Sequence, residues 1–250
     1  MSGKRPYVLC IAAHDPSGGA GLTADIKTCE KNKAYGLSVC TGITIQNDID
    51  FKSTTWVSVE DIIAQINVLF ERFKPAVAKI GLLKDAKSLY EVVYHLKKKN
   101  AKIRIVLDPV CKASAGFSFS REEEKAAWRN ICKSLFLLTP NLNEKALLCP
   151  EVDITKPESV SDLACHVYLK GGHSETDLGK DYLFYEGKIY PYRASKGKFH
   201  EKHGSGCVLS SAIAAHLAKG FPVVKACQKS KNYIEKILKS NSGLLGYHYE

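Results

Sequence analysis

Short apolar runs rich in β-branched residues alternate along the chain with longer stretches whose apolar positions recur every three or four residues. Residues 7–13 are apolar at almost every position and too short for a helix, the pattern of a strand buried on both faces. A helix is expected over 20–33 and a second strand over 37–45. In 60–74, Ile62, Ile63, Ile66, Leu69, Phe70 and Phe73 share one helical face, which predicts burial of that face. A strand is expected over 76–80, a helix over 85–99, and a strand over 103–107 that stops at Asp108-Pro109. A helix over 121–133, a strand over 135–139 and a helix over 142–148 follow. Residues 167–170 predict a strand running into Gly171-Gly172, and 181–193 a hairpin around Glu186-Gly187. Two helices, 205–219 and 222–239, close the pattern. This alternation predicts an α/β fold with a mostly parallel sheet covered by helices on both faces. Sites in such folds lie at the carboxyl ends of strands.

Composition adds limits. The chain has 250 residues, 45% hydrophobic and 25% charged, ordinary for a globular protein and unlike a disordered chain or a collagen. With no linker, repeat or low-complexity tract, residues 1–250 read as a single domain. No run nears the ~18 apolar residues of a membrane span. Lys4-Arg5 before the first apolar run resembles a short signal peptide, but His14-Asp15 follows at once, so a buried first strand explains it better. Nine cysteines, an odd number without a Cys-x-x-Cys pair, point to reduced thiols and a cytoplasmic protein. Lys and Arg exceed Asp and Glu by 36 to 26, for a net charge of +10. That surplus favours anionic small molecules. Without Arg-rich, aromatic-interleaved stretches it gives little support to nucleic acid as a partner.

Four constellations at predicted strand ends carry candidate chemistry. Asp15-Pro16-Ser17-Gly18-Gly19-Ala20-Gly21 leaves the first strand and enters a helix. It can bring backbone close to an anionic ligand, or be a plain tight turn. Asp25, one turn into that helix, reads on its own as a surface carboxylate. His203-Gly204-Ser205-Gly206-Cys207 opens the first of the two closing helices. Its backbone N–H groups can converge on developing negative charge. A cysteine there is expected to have a lowered pKa and to serve as base or nucleophile; otherwise it is an inert buried thiol after a glycine turn. His200, His203 and Cys207 could form a metal triad, but the intervening glycines suit backbone chemistry better. Asn141 and Glu144, three apart at a helix start, offer oxygen ligands for hydrated Mg²⁺ or form a capping box. Lys170, beside Gly171-Gly172, can reach a phosphate or simply be an exposed lysine before a turn.

Taken jointly and in this order, the motifs resemble the ribokinase-like superfamily. Within it they are most similar to the hydroxymethylpyrimidine/phosphomethylpyrimidine kinases of thiamine biosynthesis. The resemblance runs from Tyr7 to Leu238. It rests on residues 15–21 with Ala24-Asp25-Ile26-Lys27-Thr28, Lys79-Ile80-Gly81, Asp108-Pro109-Val110, Thr139-Pro140-Asn141 with Glu144, Lys170-Gly171-Gly172-His173, and residues 203–207. It implies a three-layer sandwich, ATP and Mg²⁺ as cofactors, a pyrimidine alcohol as substrate, then its monophosphate, and a homodimer. By motif match Gln46 would hold the aminopyrimidine edge, with Asp25, Ala13, Gly19 and Leu82 on the substrate side. Asp108, Asn141, Glu144 and Lys170 would serve ATP and Mg²⁺, the metal being held through phosphates and through water on Glu144. Lys170 would also neutralise the transferred phosphate. Gly204, Ser205, Gly206 and Cys207 would form the anion hole, with Cys207 as the base. The chain departs from the family at Ala13-His14, where Gly-Ser/Thr is usual, and at Leu82 and Cys111, where Met is usual. The 145–169 stretch is short, and the loop 112–117, which resembles the family's lid, carries Ala-Ser-Ala. A pyridoxal kinase and a non-catalytic ligand-binding domain of the same fold are the rival readings. A dinucleotide-dependent oxidoreductase lacks its G-x-G-x-x-G.

Overall fold

A computed structural model describes residues 5–110, 122–172 and 178–248, with the backbone alone for 122–126. Cys111, the loop 112–117 and His173 lie outside the described residues. Along the chain come β1 (Tyr7–His14), α1 (Gly21–Lys31), β2 (Tyr35–Gln46), β3 (Phe51–Trp56), α2 (Val59–Arg72), β4 (Val77–Ile80) and α3 (Ala86–Lys99). There follow β5 (Arg104–Leu107), α4 (Glu122–Ser134), β6 (Leu137–Leu138), α5 (Leu142–Leu148) and a 3-10 helix (Pro157–Leu163). Finally come β7 (His166–Leu169), β8 (Asp181–Tyr185), β9 (Lys188–Tyr192), α6 (Ser205–Ala218) and α7 (Val223–Lys239).

The described strands form one sheet of order β3-β2-β1-β4-β5-β6-β7-β8-β9. From β2 through β7 the neighbours are parallel, whereas β3, β8 and β9 join antiparallel at the two edges. Two elements were not expected from the pattern. β3 shows no buried residue, so no apolar alternation marks it. The 3-10 helix occupies the short stretch before β7. The strand expected over 135–139 begins two residues late, at Leu137, because the Leu135 N–H turns back to Cys132 O at 2.9 Å and closes α4.

Side chains of β1 alternate between two cores. Leu9 and Ile11 pack with α2, α3 and α4, while Val8, Cys10 and Ala12 pack with α1, α6 and α7. The result is the expected three-layer sandwich. Helix α6 is buried at every position from Val208 to Leu217. That explains its apolar sequence: it is enclosed by the sheet, α1 and α7. Because β2 and β4 flank β1, the strand order reverses there. The crevice above the carboxyl ends of β1 and β4 is where open α/β sheets bind ligands.

Candidate active site

The loop after β1 is folded around one carboxylate. Asp15 Oδ1 accepts from the Ser17 N–H at 2.9 Å, and Oδ2 accepts from the Ser17 hydroxyl at 2.9 Å and the Ala20 N–H at 2.8 Å. His203 Nε2 stands 2.8 Å from the same Oδ2. Burial works to raise this carboxyl, but these donors together hold it well below the usual carboxylate range. Asp15 thereby ties the β1–α1 loop to the loop before α6. The two backbones touch: a Cβ on Gly204 would lie 2.1 Å from Gly19 O, and Gly204 has φ +74°. Gly19 itself faces the His203 ring, so it joins the two loops. His203 is thus committed to a carboxylate. The described residues hold no group of three His, Cys, Asp or Glu side chains placed to bind a metal.

The start of α6 carries the expected anion-binding backbone, but fewer of its donors are open than the sequence suggests. The Ser205 N–H turns to Lys202 O at 3.3 Å and the Val208 N–H to Gly204 O at 3.0 Å. Gly206 and Cys207 remain as helix-start donors without a backbone partner among the described residues. Gly206 also leaves room for the groups opposite, since a Cβ there would sit 3.2 Å from Lys170 Nζ and 3.3 Å from Asp108 Oδ2.

Those groups form an ion cluster at the ends of β5, β6 and β7. Lys170 Nζ lies 2.7 Å from Asp108 Oδ1 and 3.7 Å from Glu144 Oε2. Asp108 is buried, with the Ser210 hydroxyl 3.3 Å from Oδ2 and the Thr139 hydroxyl 3.4 Å from Oδ1. Burial opposes charge on both partners. Lys170 and Lys79 nevertheless hold Asp108 below its ordinary value, and Asp108 and Glu144 hold Lys170 above its own. Lys170 is therefore a paired cation at the site, not a loose surface lysine. Asn141 and Glu144 satisfy both of their readings. The Glu144 N–H donates to Asn141 Oδ1 at 2.9 Å and the Asn141 N–H to Glu144 Oε2 at 2.8 Å, a capping box. The same Glu144 faces Lys170. Asp108 and Glu144 are hard oxygen donors with Lys170 between them. That set fits a hydrated Mg²⁺ carried on phosphates better than a bare ion.

Cys207 corrects one expectation. The helix start was expected to lower its thiol. Burial dominates instead and pushes the thiol up to about 11, against the pull of Lys79 and the Gly21 N–H. Asp25 corrects another. It is fully buried, and both oxygens are taken by Lys79 Nζ at 2.8 Å, with the Ser211 hydroxyl at 2.6 Å from Oδ1. It lies beneath the crevice, neither on the surface nor open to a substrate. Ala13 is also buried, at 3% exposure, with its carbonyl against Gly21. Gln46 stands part-exposed at the end of β2. Leu82 is part-exposed after β4 and borders a small apolar pocket with Leu107, Pro109 and Val110.

Four residues were given no role of their own by the sequence, Lys79 having counted there only as part of the Lys79-Ile80-Gly81 motif. Lys79 is a fully buried lysine in the otherwise apolar β4. That alone signals a buried partner, because an unpaired ammonium there would be costly. Asp181 accepts the Gly171 N–H at 2.7 Å and so fixes the turn after Lys170. Ser210 and Ser211, one turn past Cys207, donate to the buried carboxylates of Asp108 and Asp25 respectively.

A family model described as phosphomethylpyrimidine kinase matches residues 15–249. The hydroxymethylpyrimidine/phosphomethylpyrimidine kinase of Aquifex aeolicus is 34% identical over 252 residues, covering 97% of each chain. That of Rhizobium meliloti is 33% identical over 235 residues, covering 90% of this chain and 88% of its own. The crystal structure of phosphomethylpyrimidine kinase from Clostridium difficile superposes with a TM-score of 0.74 at 30% identity, covering 91% of this chain and 98% of that one. An ADP complex of Bacillus subtilis pyridoxal kinase superposes with a TM-score of 0.80 at 25% identity, covering 95% and 93%.

Proposed function

The chain belongs to the phosphomethylpyrimidine kinase family, and on that premise we propose that it transfers the γ-phosphoryl group of ATP to 4-amino-5-hydroxymethyl-2-methylpyrimidine and then to the resulting monophosphate. One observation carries the reading: the Lys170–Asp108–Glu144 cluster, at the ends of β5, β6 and β7, faces the start of α6 at Gly206. Phosphoryl transfer needs alignment and charge stabilisation more than covalent catalysis, and this arrangement supplies both. The Gly206 and Cys207 N–H groups would receive the transferred phosphoryl oxygens. Lys170 would exchange part of its pairing with Asp108 for the phosphate. Asp108 and Glu144 would hold water on Mg²⁺, and Asn141 would fix Glu144 through the capping box. Gln46, whose amide both donates and accepts, would read the aminopyrimidine edge, with Leu82 at its apolar side. Residues 1–250 act as one domain. Ile43, Ile45 and Phe51, exposed on β2 and β3, support a homodimer through that edge; a monomeric mass by light scattering would contradict it.

The test is ATP consumption by the purified protein with Mg²⁺, given the pyrimidine alcohol, its monophosphate or pyridoxal separately. Turnover on both pyrimidines is expected. The pyridoxal kinase likeness favours a second reading, which turnover on pyridoxal alone would establish. Silence with all three would leave a ligand-binding domain.

A further inference from the structure

The run from His200 to Gly204 leads into α6 without helix or strand of its own. It is held against the end of α7 at three points. The His200 N–H donates to Leu238 O and the His203 N–H to Leu244 O, each at 2.9 Å. Between them stands Lys202, only 4% exposed. Its Nζ donates to Asn241 O at 2.6 Å and to Gly243 O, and lies 3.3 Å from Asn241 Oδ1. A buried ammonium needs such acceptors, and hydrogen bonds from a charged donor are the stronger kind. Asn241 follows the Ser240 cap of α7, so the cation also meets the negative end of that helix.

Residues 240–247 likewise form no helix or strand; they are shaped around Lys202. Asn241 Oδ1 accepts the Gly243 N–H at 2.8 Å, and Asn241 Nδ2 donates to Leu245 O at 2.9 Å. Gly246 packs so closely that a Cβ there would lie 2.4 Å from Ile237 Cγ2 and 3.4 Å from Lys202 Cδ. The segment also reaches the other loop of the crevice. Leu245 Cδ2 and the His203 ring each lie 2.8 Å from where a Cβ on Gly19 would be. Residues 240–247 therefore touch both loops that Asp15 ties together.

We propose that Lys202 is a positioning residue for the kinase reaction, clamping residues 241–245 against the run 202–204 so that the Gly206 and Cys207 N–H groups stay aimed at the transferred phosphoryl group. The inference rests on the kinase reading for its catalytic meaning, but not for the clamp itself. Lys202 acts through backbone. Its ammonium is taken up by carbonyl oxygens, and its own carbonyl accepts the Ser205 N–H at 3.3 Å, at the very start of α6. A shift at Lys202 is thus passed directly to the donors that follow. The same run is held from the opposite side by Asp15 through His203. A buried charge grips it on each flank.

The experiment pairs amide hydrogen exchange with turnover. In K202M the peptide covering 203–208 should exchange about tenfold faster than in wild type, while the α3 peptide covering 86–99 stays unchanged. K202M should lower kcat about tenfold or more, with KM for the pyrimidine alcohol within about twofold. K202R keeps the cation and should restore most of kcat. A segment that only stabilises the fold would instead lower the melting temperature and leave kcat, measured well below melting, intact. N241A removes one acceptor of Lys202 and the donor to Leu245 O from a part-exposed position, so it serves if K202M does not fold. It should move exchange and kcat in the same direction by about threefold. Unchanged exchange or unchanged kcat in folded K202M, or in N241A where K202M does not fold, would overturn the proposal. Faster exchange in the variants of a wild type that turns over none of the three alcohols would overturn the kinase reading and uphold the clamp.

Discussion

Gly204→Ala tests whether the crevice depends on the contact between its two loops. An L-residue at φ +74° carries a backbone cost of about 1–2 kcal/mol. The steric term is larger. The new methyl would lie 2.1 Å from Gly19 O, 2.6 Å from Ala20 Cα and 2.7 Å from Gly19 C, all backbone atoms that no rotamer change can move. Carbon and carbonyl oxygen normally approach to about 3.3 Å, so the loops must part by roughly 1 Å. That displacement carries the Gly206 and Cys207 donors with it. A misplacement of about 1 Å is worth on the order of 100-fold in rate, or ~2.7 kcal/mol of activation free energy. Gly187→Ala is the control. It sits at φ +69° in the β8–β9 turn with nothing within 4 Å of the new methyl, so it isolates the backbone cost. G187A should lower the urea midpoint and leave kcat intact. G204A should lower both. Turnover of G204A within about threefold of wild type, less than 1 kcal/mol of activation, would refute the idea that this contact aligns the donors.

Three further outcomes follow from the site. Asp15 is held below its usual pKa in the folded protein. Its contribution is therefore present above about pH 4 and lost as pH falls through the folded value. D15N should flatten the acid limb of thermal stability measured against pH, and equal slopes in the two proteins would contradict this. C207A should reduce kcat by about 100-fold or more, with KM for ATP near wild type. Near-normal turnover would remove the sulfur as proton acceptor and leave it a packing role. Q46A should raise KM for the pyrimidine alcohol by roughly five- to tenfold, the loss of about one net hydrogen bond. An unchanged KM would take Gln46 out of the pocket.

Most of the sheet was legible because its central strands are buried on both faces and read as unbroken apolar runs. β3 was not, for the opposite reason. Phe51–Trp56 is an edge strand with none of its residues buried, so its pairing is set by the β2 backbone and leaves no hydrophobic signature. At the site, local motifs located the loops but not the protonation states. The Gly-Ser-Gly-Cys helix start suggests a lowered thiol, yet the thiol's depth and its carboxylate neighbours come from β5 and α1, remote in sequence. Asp25 looked like a surface group because its partner Lys79 stands 54 residues away. Asn141 and Glu144 offered two readings that seemed exclusive. The structure satisfies both, since a capping glutamate can face outward to a cation. Lys79 was quoted as part of a motif but given no role, although a charged residue within an otherwise apolar strand signals a buried partner.

The closing wall of the crevice comes late in the chain, and this governs how the molecule can be made. Asp15 waits for His203, 188 residues on, and Asp25 for Ser211, 186 residues on. A nascent polypeptide can emerge through β7 with every central strand present and still hold only one partner of each pair. One face of its sheet is also covered only in part, by α1, because Val8, Cys10, Val77 and Val106 share a core with α6 and α7. The segment that completes the site is thus the segment that hides this face. A ribosome-bound or truncated chain lacks activity and exposes apolar surface at the same time, the surface that chaperones and proteases bind.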